Sequence, residues 1–185
     1  SKFLWSAPEE QADPEKAKQI LEQKKLLPME FTLKVPNSSK FYLDTAQSVR
    51  EQLKDIGITV NLEMVEWASW LSDVYTNRKY VASLAGLSGK MEPDAILRRY
   101  TSTYAKNFTN FNNARYDVLV EEAKRTSNEA KQIENYKEAQ KILSEEQAAI
   151  FLMDPNIIIA TEKGIEGFEF YPLPYLNFAK LYFKK

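Results

Sequence analysis

The side chains able to do chemistry are few in kind, and their spacing narrows them further. There is no cysteine and no histidine in the 185 residues, which excludes disulfides, thiol nucleophiles, the Ser-His-Asp arrangement and the commonest transition-metal ligands. Glu92 and Asp94 stand two apart near a turn with Lys90 beside them. A calcium loop needs several more oxygen ligands, so no metal is expected there. Paired carboxylates for glycoside hydrolysis occur in no distinctive motif. No glycine-rich phosphate loop ending in Lys-Ser/Thr is present among only five glycines. No cofactor is expected.

What remains is chemistry of contact. Trp67 and Trp70 lie at i and i+3 on an expected helix; burial against a sheet is their simpler use, and one of them, counted here as Trp67, is left to line a cleft. Asn107, Asn110, Asn112 and Asn113 suit turns and caps, with Asn107 retained as a candidate contact. The stretch Tyr80 to Asp94 runs from an apolar segment into Gly86, Leu87, Ser88, Gly89 and Lys90, then Glu92-Pro93-Asp94. It reads as strand, loop and helix, and the loop beyond a central strand of an open α/β sheet is where backbone donors and a helix start converge on a ligand. An ordinary strand-to-helix connection is the alternative.

The elements that must position this loop are legible from periodicity. Asp13-Pro14 starts a helix that Pro28 stops. Phe31, Leu33 and Val35 alternate with polar residues as a strand. Leu43, Ala46, Val49, Leu53 and Ile56 form a helical stripe closed by Gly57. Ile58, Val60, Leu62 and Met64 alternate again, Trp67 to Val74 is helical, and a third strand starts at Tyr80. Strands separated by helices imply parallel neighbours joined by right-handed crossovers. After Pro93 come a short helix, a polar loop from Thr101 to Asn113, a helix from Ala114 to Lys124, and a long helix for which Thr126 and Glu129 fit a capping box. Phe151–Met153 and Ile157–Ala160 read as short strands. The aromatic end, Phe168 to Phe183 with two prolines, is neither one helix nor one central strand.

Bulk properties fit this reading. With 25 basic and 26 acidic residues the net charge is -1, against the basic excess of a nucleic-acid-binding domain. No signal peptide and no membrane-length apolar run is seen, and the first residue is Ser1, which suggests an excised piece of a longer protein.

Taken in order, Asp13-Pro14-Glu15-Lys16-Ala17-Lys18, the Gln-Leu-Lys-Asp-Ile-Gly-Ile ending at Ile58, Ala85 to Asp94, Asn107 to Asn112 with Tyr116 to Leu119, Tyr136 to Glu145 and Glu166-Gly167-Phe168 resemble the C-terminal lobe of extracytoplasmic solute-binding proteins of the peptide and nickel family. The resemblance implies an α/β lobe of the type II periplasmic-binding-protein kind, a mixed, mostly parallel sheet flanked by helices. It implies a ligand-binding lobe over residues 1–165 and a return segment over 166–185 toward an absent N-terminal lobe. It also implies a protein that closes on a peptide or other small solute and delivers it to an ABC transporter permease, outside the cytoplasm as a periplasmic protein or a cell-surface lipoprotein. The contacts expected are Gly86, Leu87, Ser88, Gly89, Lys90 and Glu92 of this loop, together with Trp67 and Asn107 from the reading of the residues above.

In peptide-binding members the loop looks like Gly-Trp-x-x-Asp, and its aspartate holds the ligand's ammonium; here Gly86 and Glu92-Pro93 match, while Leu87 and Lys90 replace the tryptophan and the aspartate. Like charges about 4 Å apart repel by roughly 1 to 4 kcal/mol across dielectrics of 80 to 20, so Lys90 opposes an ammonium there. Either the ligand offers an anionic or carbonyl group at that spot, or other groups hold it; a Lys90 pointing to solvent is the third possibility. A carboxylate-based hydrolase domain and a ligand-sensing domain of a regulator are the other classes that an α/β scaffold leaves open.

Overall fold

The structure is a computed structural model and describes residues 1–6, 12–156, 158–171 and 177–184. The chain divides into two compact units, one of Ser6–Leu87 with Thr103–Asn110, the other of Ser1–Trp5, Ser88–Ser102 and Phe111–Lys185.

The first unit is built on alternation. Strand β1 (Met29–Pro36) pairs in parallel with β2 (Ile58–Val65) over eight residues, from Met29 opposite Ile58 to Pro36 opposite Val65. Leu33, Val35, Ile58 and Val60 are the buried members. Helix α1 (Pro14–Gln23) starts as expected, Asp13 accepting from the Lys16 N–H. Helix α2 (Lys40–Asp55) is the crossover between β1 and β2. It starts at Ser39, whose hydroxyl accepts from the Phe41 N–H, and buries Ala46 among Leu53, Ile56 and the sheet residues. Gly57 takes the left-handed conformation, φ +88, that lets the chain leave the helix and enter β2 at once.

The third strand differs from its expectation in length and place. β3 is only Ala82–Ser83, parallel to β1 with Leu33 opposite Ala82 and Lys34 opposite Ser83, and the strand order is β2-β1-β3. The central strand is therefore β1, and among the described residues β3 stands at the edge. Tyr80 and Val81 fall outside the ladder because the Tyr80 hydroxyl donates to the Phe108 carbonyl while Val81 is 78% exposed. A last ladder bond, Leu84 N–H to the Lys34 carbonyl at 3.1 Å, precedes the loop.

The second unit is helical at its core. Helices α5 (Ala114–Arg125) and α6 (Glu129–Glu145), with the short α4 (Pro93–Leu97) and a 3₁₀ turn at Arg98–Tyr100, bury Leu97, Tyr100, Tyr116, Leu119, Tyr136, Ala139 and Leu143 together. Tyr116 is fully buried and its hydroxyl donates to the Leu97 carbonyl at 2.6 Å; burial pushes its phenol far above the ordinary tyrosine range. The expected Thr126–Glu129 capping box is not formed. Asn128 caps α6, accepting from the Lys131 N–H, while the Thr126 hydroxyl accepts from the Asn128 N–H. An N-cap oxygen must reach an N–H two or three residues on, and with the helix beginning at Glu129 that place belongs to Asn128.

Strands were also expected at Phe151–Met153 and Ile157–Ala160. Ile157 lies outside the described residues, and the others form no strand: Phe151 is 62% and Ile158 91% exposed. Strand-forming residue types make a strand only against a partner edge, and none pairs with them among the described residues. Nearer the end, β4 (Ile165–Glu166) and β5 (Tyr182–Phe183) form a short antiparallel pair, and Pro172 to Leu176 lie outside the described residues.

Candidate functional site

Parallel strands end together, so whatever follows them gathers at one edge of the sheet. Tyr42 opens α2 just beyond β1, Trp67 opens α3 (Trp67–Trp70) two residues beyond β2, and Gly86 lies three residues beyond β3. A short π-helical stretch, Leu71–Thr76, continues α3.

Trp70 is the buried anchor of this edge. Its indole N–H donates to the Ser83 hydroxyl at 2.8 Å, and that hydroxyl donates to the Lys34 carbonyl at 2.8 Å, tying α3 to β3 and β1. Trp67 stacks on Trp70, centroids 5.1 Å apart and planes within 3°. One ring face is thereby covered and Trp67 stays 43% exposed. The i, i+3 spacing therefore places one indole in the core and one at the surface. Phe108 meets Trp70 edge to face at 5.7 Å, and Tyr75 stacks on it at 6.2 Å.

Asn107 is placed inside its loop, 6% exposed, with its side-chain oxygen accepting from the Thr109 hydroxyl. The Arg78 guanidinium donates to the carbonyls of Tyr75, Thr76, Ala105 and Asn107 at 2.7 to 3.1 Å. Such a fork fixes the Thr103–Asn110 loop through its backbone. Burial raises the Tyr80 phenol, and the Arg78 charge partly offsets it. The Tyr80 hydroxyl therefore stays a donor to the loop at neutral pH.

Gly86 and Leu87 belong to this unit and are exposed; the Gly86 N–H donates to the Tyr42 hydroxyl oxygen at 3.2 Å. Ser88, Gly89, Lys90 and Glu92 continue the loop into the second unit, all exposed. Among the described residues the Lys90 ammonium has neither ion pair nor hydrogen-bond partner. Tyr136 is held above the ordinary phenol range first by burial, then by the charges of Asp94 and Glu92. No group of three or more Asp or Glu side chains that could hold a metal ion is gathered among the described residues. The sequence points to the loop and to Trp67 as candidate contacts, and the structure leaves both exposed. The sequence does not point to Tyr42, Arg78 and Ser83, whose most distant partners lie 44, 29 and 49 residues away along the chain.

A sheet edge offering an aromatic face and loop amides is suited to contact with a solute. The family model for bacterial extracellular solute-binding proteins, family 5, middle region, matches residues 2–108. The chain belongs to this family. It is a family of solute-binding proteins and not of enzymes. The oligopeptide-binding protein AppA of Bacillus subtilis is 32% identical over 145 residues, 77% of this chain and 27% of AppA. A dipeptide-binding protein of Pseudomonas aeruginosa is 28% identical over 169 residues, 86% of this chain and 32% of that protein. The structure of AppA in complex with a nonapeptide superposes with a TM-score of 0.80 at 28% identity, over 98% of this chain and 39% of AppA. The fold is that of the type II periplasmic binding proteins, an α/β architecture with a parallel sheet flanked by helices. The chain thus spans about a third of the length of the curated relatives it matches.

Proposed function

We propose that this chain is the ligand-binding lobe of the substrate-binding component of an ABC importer for oligopeptides or related small solutes. The solute lies in the cleft between this lobe and the remainder of the protein, and the loaded protein docks on a permease outside the cytoplasm, as a periplasmic protein or a surface lipoprotein. The observation that carries this reading is the carboxyl edge of the β2-β1-β3 sheet, where the Trp67 face and the Gly86 loop stand exposed in a chain whose relatives are named for the peptides they bind.

In this reading residues 1–165 form the lobe and 166–185 return toward the rest of the protein. The exposure of Phe170, Phe178 and Phe183 supports the second assignment, since water is a poor neighbour for so many large apolar side chains in so short a stretch. Trp67 and Leu87 pack on apolar parts of the solute; Gly86, Ser88 and Gly89 approach its backbone; Glu92 and Lys90 set its charge preference; Asn107 supports the neighbouring loop from inside. Lys90 faces an anionic or carbonyl oxygen of the solute, because an ammonium there meets repulsion. Binding involves closure with no bond making, and a ligand shifts the open and closed populations only by its differential affinity for them.

The test is titration of the full-length protein with a peptide pool and, separately, with anionic metabolites. Lys90→Asp is expected to move preference toward free-amino peptides. Equal capture of such peptides by both proteins would remove Lys90 from the site, and capture of no solute by either would remove the function.

A further inference from the structure

The loop's first glycine carries a requirement that comes from outside the loop. The Gly86 N–H donates to the Tyr42 hydroxyl oxygen at 3.2 Å, across 44 residues. A Cβ built on Gly86 lies 2.8 Å from that oxygen, yet 3.4 and 3.5 Å from the ring carbons behind it. Only the phenolic oxygen stands in the way; the ring alone leaves ordinary contact distances. Gly86 does not adopt a left-handed φ, so its own backbone makes no demand for glycine. The requirement comes from the close approach of the Tyr42 oxygen.

Tyr42 is itself well anchored. It occupies the first turn of the 16-residue α2, behind the Ser39 cap, and is half-buried against the cluster of Leu33, Val35, Ala46 and Val60. Gly86, by contrast, is exposed and follows a two-residue strand, so nothing in its own segment fixes it.

We infer that Tyr42 is the positioning residue of the solute loop: its hydroxyl latches the backbone at Gly86 and thereby sets where the residues after it begin. The inference rests on the solute-binding reading for its consequence, though not for the latch. A loop end held to a helix turn loses less conformational entropy when a ligand orders it, and tighter binding follows. A side chain at residue 86 must push the residue 42 oxygen or the loop aside.

This predicts a particular pattern of non-additivity. In the full-length protein, Tyr42→Phe removes the latch without filling or emptying space. Hydrogen exchange at the Gly86 amide is expected to quicken by about tenfold, and affinity for a pool of nine-residue peptides, followed by tryptophan fluorescence, to fall by a similar factor, the usual size of one net hydrogen bond. Gly86→Ala in the wild-type background forces the tyrosine or the loop aside and costs on the order of thirtyfold. In the Tyr42→Phe background the same substitution is expected to cost almost nothing more, so that the double variant binds better than Gly86→Ala alone. A merely structural role for Tyr42 would not produce that rescue. Multiplying penalties in the double variant, or Gly86 exchange indifferent to Tyr42→Phe, would overturn the latch. Should wild type bind no peptide in the pool while Gly86 exchange still follows residue 42, the latch stands and the peptide reading falls.

Discussion

Strands β1 and β3 are neighbours in one sheet, and they are made very differently. β1 is paired along eight residues to β2 and carries Leu33 and Val35 into the core, under α2. β3 is paired over two residues, and Val81 just before it stands in solvent. What β3 lacks in ladder it obtains from side chains reaching in from elsewhere: Ser83 between Trp70 and the Lys34 carbonyl, Tyr80 on Phe108, Tyr42 on Gly86. A long ladder of backbone bonds makes a strand hard to open, whereas a two-residue strand depends on a few side-chain bonds and opens at lower cost. Binding segments are drawn from the less stable parts of a fold for this reason.

Several substitutions would break or sharpen that contrast. Leu33→Ala, in the middle of the β1 ladder, is expected to lower stability by about 2–5 kcal/mol in urea denaturation, through lost burial and the cavity left behind. A loss below 1 kcal/mol would mean that β1 is not the keystone of its unit. Ser83→Ala leaves both the Trp70 indole N–H and one bond to the Lys34 carbonyl unmade, and should cost about 1–3 kcal/mol. It should also blunt the fluorescence response of Trp67 to ligand, since the ring beneath it is no longer fixed; an unchanged response would show that the stack holds itself. Val81→Ala, next to β3 but exposed, is expected to stay within about 0.5 kcal/mol. A large effect there would show that β3 is supported from a side the described residues do not reveal.

The smallest effect concerns the β4–β5 pair. Lys184 and then Tyr182 hydrogen-bond the Glu166 carboxylate and hold its pKa below the ordinary range. Because the folded value is depressed, this support is present above the unfolded-state carboxylate pKa and is lost as pH falls through the folded one. Protection of the Tyr182 and Phe183 amides, relative to their intrinsic exchange rates at each pH, should therefore fall on acidification, and Glu166→Gln should flatten that dependence. The carboxylate is solvent-accessible on a two-residue pair, so the change is expected in local exchange and not in global unfolding.

How far the residues alone led depended on whether a signal was local. The starts of α1 and α2, the two alternating strands and the Gly57 exit were legible because capping oxygens, apolar periods of 2 and 3.6, and a left-handed glycine are all properties of neighbouring residues. The Gly86 to Glu92 loop was legible for the same reason. The cap of α6 was misplaced by two residues because Thr126 and Asn128 are both competent oxygens, and only the helix's true first turn chooses between them. The strands expected at Phe151–Met153 and Ile157–Ala160 show the opposite limit. Their residue types are right, but pairing is a relation between two segments, and the described residues hold no second one.

The sequence by itself determined the elements of the sheet unit, the absence of histidine and cysteine chemistry, and the place of the loop after the third strand. Local sterics and hydrophobic periodicity suffice for those. Only the tertiary structure decided that β1 is central and β3 short, that Trp70 is sunk while Trp67 is exposed, that Asn107 faces inward, and that Tyr42, Arg78 and Ser83 hold the site's backbone. The bonds of Tyr42, Arg78 and Ser83 join residues far apart along the chain, so no short window of the sequence contains both partners.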